Sequence, residues 1–412
     1  MAYIPPHKRH SESSPAPESL LIPQFQRNLN LRDRKSTGRS DRKGKDSGTG
    51  SKIIYADSAI SKWFSVGLLD SDNEDGSSSF SALTSLEPVS VEFLERKFGE
   101  KPLALVLKED AGERETVFVD KPWVCVAENV KRDLLSSFRR VKSEMVDNVR
   151  EEVKPSLVAR VGRILFHGNP SSLECVRRNL LTESSLRTLK KSFYTNVPPT
   201  YMEHVTDKIV QEIGLYFEED KEIYHVKISD NFRPDSTISC KCAVGQDKKS
   251  IELYKIELNQ VRHMVEDISC LGKSLDLRLM LCTKRIMIAL TDDEIDGIKA
   301  LISSAVLDSD VKGGLRWPLG KNSSGDRYSI VGVWHTTAKT YRSSSIRLKV
   351  RHADRFDFRT SSGEVAREVT LKLHGIVSQI QDETCENDPV FQMLGDNIKL
   401  IWDHFLSSGS CI

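Results

Sequence analysis

The chain has 412 residues, of which 38% are hydrophobic and 29% charged, and its formal net charge is +1. That balance fits a globular protein with room for two or three cores and excludes a uniformly basic nucleic-acid coat. Eight cysteines are scattered along the sequence, which excludes a disulfide-stapled scaffold and points to a reducing, intracellular compartment, cytoplasm or nucleus.

Residues 1–51 are rich in Ser, Pro, Gly, Lys and Arg, with ten Lys/Arg against five Asp/Glu over residues 1–50. So little apolar surface cannot offset ordering entropy, and the expectation is a disordered basic arm. The polar, proline-bearing start lacks the apolar core of a secretory signal. Glu12, Glu18, Asp33 and Asp41 weigh against a chloroplast transit peptide without removing it. Inside the arm, Tyr3, Ile4, Pro5, Pro6, His7, Lys8 and Arg9 form an extended segment. Adjacent prolines fix φ and remove donors, so this segment reads as a peptide offered to a protein partner.

The next expected unit is an α+β domain over 52–217 with a mainly helical second half. Residues 52–69 read as a strand pair turning at Asp57 and Ser58, and 70–81 as an acidic, serine-rich loop. A short helix over 88–98 stops at Gly99, and strands follow at 103–107, 116–119 and 123–126. Val130, Leu134, Phe138, Val141, Met145 and Val149 recur at helical spacing, so 128–153 is expected to be a helix ended by Pro155. Two more helices are expected at 171–193 and 199–217.

From Ile223 the apolar period becomes two. A meander plus helix is expected over 218–310, and a second meander plus C-terminal helices over 311–406, with a tail at 407–412. The second meander carries strands at 328–336, 345–352 and 356–359, then a helix from Gly363. The fold class expected is therefore α+β, with antiparallel meanders each followed by helices, a helical central region and a disordered N-terminal arm.

Several stretches carry candidate chemistry. The loop containing Gly313, Gly314, Arg316, Trp317 and Lys321 lacks the spacing of a phosphate loop, but offers cations beside a stacking surface. Cys240 and Cys242, with Cys270, Cys282 and His263, lack paired zinc knuckles, and the first two share a strand face with Ile238 and Val244. His335, His352 and His374 have no nucleophile elbow or carboxylate pair to work with, so no catalytic residue, cofactor or metal is assigned. The strongest internal signal is SIRLKVRHADRF: Ile346, Leu348 and Val350 alternate with Arg347, Lys349 and Arg351, and Arg355 keeps the basic parity. Period two lines these cations on one sheet face. Arg342 extends the stripe, and Tyr328, Tyr341 and Phe356 are the neighbouring stacking candidates.

MAYIPPHKRH, SKWFSVGL, SFYTNVP, IYHVKISD, TISCKC, ELNQVRHMVEDISCL, DVKGGLRWPLGK, SSGDRYSIVGVWHT, RLKVRHADRFDF and KLIWDHF resemble a family of uncharacterised plant proteins that share a domain of unknown function. The resemblance implies no activity, cofactor or catalytic residue. A second one covers seven residues: YIPPHKR is similar to the YIPPHLR segment of a DEAD-box RNA helicase subfamily, where it contacts the cap-binding translation factor. Here Lys8 replaces the leucine. The expectation is a non-enzymatic adaptor near RNA or a ribonucleoprotein, holding phosphate with the basic strand. The alternatives are a protein-interaction scaffold or an enzyme using His335 or His352.

Overall fold

The computed structural model describes residues 53–67, 84–107, 119–146, 151–168, 181–233, 237–246, 250–381 and 387–407. The expected basic arm, the Tyr3–Arg9 segment and the acidic serine-rich loop lie outside the described residues.

Eight long strands make the body: β4 (Glu151–His167), β6 (Tyr216–Asp230), β7 (Thr237–Val244), β8 (Ile251–Leu258), β10 (Asp276–Met287), β14 (Tyr328–Arg342), β15 (Arg347–Asp357) and β16 (Ser362–Lys372). Each is antiparallel to its neighbours, in the order β10-β8-β7-β6-β14-β15-β16-β4. β4 then pairs with β10 from Glu151↔Met287 to Gly162↔Asp276, which closes the sheet into a barrel. The barrel draws on strands from each of 52–217, 218–310 and 311–406.

Shorter pieces extend this ring. β9 (Val261–Cys270) pairs with β10, and β1 (Ile54–Val66) runs parallel to β9 with a register shift between Tyr55 and Ile60. β2 (Thr84–Pro88), β3 (Leu103–Leu107) and β5 (Lys190–Tyr194) continue from β4. β13 (Ser323–Ser324) joins β14, while β11 (Val306–Leu307) and β12 (Leu315–Arg316) form a separate pair.

Helices coat the outside. They are α1 (Glu92–Phe98), α2 (Pro122–Val146), α3 (Glu183–Thr188), α4 (Pro199–His204), α5 (Asp292–Ser303), α6 (His374–Gln381) and α7 (Asn387–His404). α4 runs on through a π-helical turn, Val205–Ile209, into Val210–Glu212. The α2 face made by Val126, Val130, Leu134, Phe138 and Val141 packs with Ile398 and Ile401 of α7 against Leu157, Ala159, Leu277, Leu279, Leu348 and Leu371. Each large apolar side chain so buried contributes about 1.5–3 kcal/mol. Fully buried Tyr201 of α4 joins this core and donates its hydroxyl to the Phe405 carbonyl at 2.6 Å. A second core holds Ile298, Leu301 and Ile302 of α5 against Val226, Ile238, Cys240 and Cys242. Both apolar cores therefore lie outside the barrel wall.

The α+β expectation with a helical centre is corrected: the described chain is mostly β, with one mixed sheet of fourteen strands. The expected strand at 123–126 is the first turn of α2, and the second half of the expected central unit supplies the longest strand, β4. The helix expected from Gly363 is strand β16. Its Glu, Ala, Arg and Leu favour helices, but pairing to β15 along its length overrides that weak preference. Pro155 sits inside β4, opposite Thr283, at a level where β16 does not yet pair with β4, so its missing donor leaves no ladder bond unmade on that side.

One buried acid in the outer core has a measurable consequence. Glu266 on β9 is 1% exposed and lies beside Asp133 of α2, whose carboxylate pairs with Lys62. Burial, reinforced by Asp133, pushes the Glu266 carboxyl up to about 8. Between its ordinary value and that one, the folded state holds a proton the unfolded state has released, so stability falls as pH rises through this window. Glu266→Gln mimics the protonated acid and is expected to add roughly 2–4 kcal/mol near neutral pH and nothing in acid. Urea melts at both pH values check it.

Candidate anion-binding tunnel

Because the large apolar side chains of the barrel strands mostly face the two outer cores, the alternate set faces in. Register fixes its members: Arg355, Trp334, His225, Lys241 and Lys255 are directly opposite one another across β15, β14, β6, β7 and β8. Arg351 faces Glu368, and Arg347 faces Lys372. Lys349 lies opposite Thr370, which lies opposite Arg160. Lys284, Lys227, Glu257 and Glu364 share this inward parity. Eight strands enclose a space that side chains fill or that holds one small ligand. Here Arg351 and Arg355 keep 20% and 13% of their side-chain surface accessible, so water reaches them.

The carboxylates are fewer than the cations, and Glu368 and Glu257 are each shared between two of them. Glu368 accepts from Arg351, from Arg355 at 2.7 Å and from the Thr195 hydroxyl at 3.0 Å. Glu257 lies 2.9 Å from both Lys241 and Lys255. Arg347 is held by Glu218 at 2.5 Å and Glu219 at 3.0 Å. Lys227, Lys284, Lys349 and Lys372 make no ion pair among the described residues. Lys227 lies 4.5 Å from the Trp334 ring centroid, and Arg355 lies 5.0 Å from it.

This crowding shows in the protonation of the tunnel. Burial, followed for Lys349 by Arg351, Lys241 and Lys284, brings Lys227 and Lys349 each down to about 8. Burial also lowers Lys241, Lys284 and Lys372 and brings Arg355 to about 10. His225 is pushed well down by burial and the surrounding cations, so it is neutral at pH 7. Uncompensated charge in a partly dehydrated space is costly, and an anion is what relieves it.

The sequence-derived candidates separate into two places. Arg347, Lys349, Arg351 and Arg355 share one face as their spacing requires, and that face is the tunnel wall. Arg342 sits at the rim, 3.6 Å from Glu218. Arg316, Trp317 and Lys321 lie on the outer loop: Arg316 pairs with Asp308 at 2.7 Å, and Trp317 donates to the Leu301 carbonyl at 2.8 Å from the α5 core. Lys321 is exposed, its carbonyl taken by the Ser304 hydroxyl. Gly313 and Gly314 have φ of 79° and 72°. A Cβ on Gly313 would stand 2.4 Å from Val333, and one on Gly314 2.9 Å from Tyr224, so these glycines let the loop lie against the outer wall.

Tyr328 and Tyr341 are buried, and Phe356 packs against the α5 core. His335 stacks on Tyr224 with centroids 4.5 Å apart and bonds Glu222 at 2.7 Å; Asp354, opposite it, accepts from the Gly313 amide. His352 is on the same outer face. Cys240 and Cys242 fill the outer core, and among the described residues no group of three or more His, Cys, Asp or Glu could hold a metal ion.

Sequence reasoning missed Arg160, Lys227, Lys241, Lys255, Lys284, Trp334, Glu368 and Lys372. The signal was present in part: Lys241 stands between Cys240 and Cys242, and His225 and Lys227 alternate with Tyr224, Val226 and Ile228. A polar strand face reads alike whether it meets solvent or a lumen.

Residues 47–405 match the family model described as domain of unknown function DUF7903. The chain belongs to that family. The match begins beyond MAYIPPHKRH, and among curated proteins no match is found. The DUF7903 chain is similar in structure to the S. pombe Pct1 RNA triphosphatase in complex with the Spt5 CTD, at 10% identity and TM-score 0.42, over 68% of this chain and 92% of that one. It is also similar to a conserved hypothetical protein of Pyrococcus furiosus at 10% identity, covering 50% and 86%, TM-score 0.24. A putative adenylate cyclase of Bacillus halodurans matches at 11% identity, covering 50% and 87%, TM-score 0.22. Likeness at this level carries no inference about activity. No helix among the described residues is long and apolar enough to cross a membrane.

Proposed function

We propose that the barrel is a receptor for a linear chain of phosphoryl groups, held along its axis by Arg347, Lys349, Arg351 and Arg355 with Lys227, Lys284 and Lys372. The observation that carries this is the set of four lumenal lysines with no carboxylate of their own. A chain of phosphates supplies several anionic groups at once to the enclosure those lysines share. The enclosure refines the expectation of an RNA-associated adaptor: it favours a narrow phosphate chain inserted end-on over a nucleic-acid backbone lying across an open sheet. The outer loop with Arg316, Trp317 and Lys321 has no part in it.

Titration calorimetry with sodium tripolyphosphate at two salt concentrations is the test. Salt-sensitive binding is expected, and Lys284→Ala with Lys349→Ala should weaken it by about tenfold or more per lost contact. Arg316→Ala with Lys321→Ala should leave it unchanged. No heat of binding to the wild-type chain would end the proposal.

A further inference from the structure

His225 on the tunnel wall is neither a cation nor a carboxylate. It stands directly opposite Lys241 on one side and Trp334 on the other, with Lys227 two residues along the same face of β6. Its ring is half-buried and makes no hydrogen bond or ion pair among the described residues. Trp334 flanks it, with centroids 6.3 Å apart and planes tilted by 50°. By contrast, ring nitrogens of His167, His263 and His335 are taken by Ser192, Thr283 and Glu222. Both nitrogens of His225 are left for whatever enters the tunnel.

The charges around this ring decide its chemistry. Lys227, Lys241, Arg351 and Lys349 all act on it, and together with burial they keep it unprotonated. An imidazole in that form has a lone pair to give and is a nucleophile. The same four cations are placed to meet the charge that builds on a phosphoryl group under attack and on the group that leaves it. Cys282, a second nucleophile on the inward parity, is 2% exposed with its thiol raised by burial, and so is inert.

We infer that His225 takes the terminal phosphoryl group of a phosphate chain as a phosphohistidine and passes it to water, which makes the tunnel a polyphosphate hydrolase. This rests on the phosphate-chain proposal and adds a reaction to it. In the first step a ring nitrogen bonds to the terminal phosphorus, and the bridging P–O bond breaks. Its electron pair departs on the shortened chain, which takes up the proton released by the other ring nitrogen. In the second step the oxygen of water bonds to the phosphorus and the P–N bond breaks. Orthophosphate leaves, and the ring recovers a proton from that water. Nothing is oxidised or reduced, and water is the co-reactant.

The experiment uses the full chain, tripolyphosphate and isotope-labelled diphosphate. Reversal of the first step moves label from diphosphate into tripolyphosphate, which a protein that merely binds the chain does not do. The wild type should carry out this exchange and release orthophosphate. His225→Asn, which keeps a neutral polar side chain, should exchange about a hundredfold or more slowly while calorimetry still shows tripolyphosphate bound. Quenching the wild type in alkali should let mass spectrometry find a phosphoryl group on residue 225, and acid should remove it. That mapping stands whether or not the variant folds. Tripolyphosphate that binds without exchange or release, a phosphoryl group on another residue, or exchange that persists in His225→Asn overturns the reaction and leaves the tunnel proposal standing. Failure of tripolyphosphate to bind at all overturns both.

Discussion

Glu368→Gln is expected to lower the stability of the empty protein by roughly 2–4 kcal/mol and to make tripolyphosphate a stronger stabiliser than it is for the wild type. Glu368 is 2% exposed and is the shared partner of Arg351 and Arg355. Removing its charge leaves Arg351 without its carboxylate partner and Arg355 with only Glu364, opposite it on β16, to offset its charge. Breaking a buried pair from one side costs about 3–5 kcal/mol, and water reaching both arginines lowers the expectation. A phosphate entering the tunnel takes over the role of the lost carboxylate, so ligand should recover more stability in the variant. Urea melts with and without tripolyphosphate give both numbers. Equal ligand stabilisation in the two proteins would mean that Glu368 and the ligand do not act on the same cations.

The second large effect is on pH. Lys227 and Lys349 both lose their protons near pH 8 in the empty tunnel. A bound polyanion stabilises their charged forms and raises both values, so binding takes up protons. Affinity should be level below about pH 7 and then fall, by about tenfold per pH unit for each lysine that must be recharged. Stability of the empty protein moves the other way. Both folded values lie below that of an ordinary lysine, so above about pH 8 the unfolded chain binds more protons and these lysines make stability rise with pH. Calorimetry in buffers of different ionisation enthalpy counts the protons taken up, and Lys227→Met or Lys349→Met should remove one each. An affinity unchanged between about pH 7 and 9 would contradict the depressed lysines.

The sequence exposed the local rule and hid the closure. The alternation in β15 is readable because Ile346, Leu348 and Val350 are aliphatic and their neighbours cationic. Nothing within 345–359 says that the polar face is enclosed, because enclosure depends on β4 meeting β10, residues more than a hundred positions apart. β4 was hard to read for a further reason: its start follows directly on the helical pattern of α2, and Pro155 looks like a helix stop. Trp334 is invisible as a site residue, since it stands in a strand resembling any other.

The division of labour along each strand also bears on how this protein can change over generations. Leu348 and Val350 answer to the helices that cover them, while Lys349 between them faces the barrel interior and makes no ion pair among the described residues. Mutation can change the charge of such an unpaired interior position without disturbing the apolar residues on either side of it that make the chain fold.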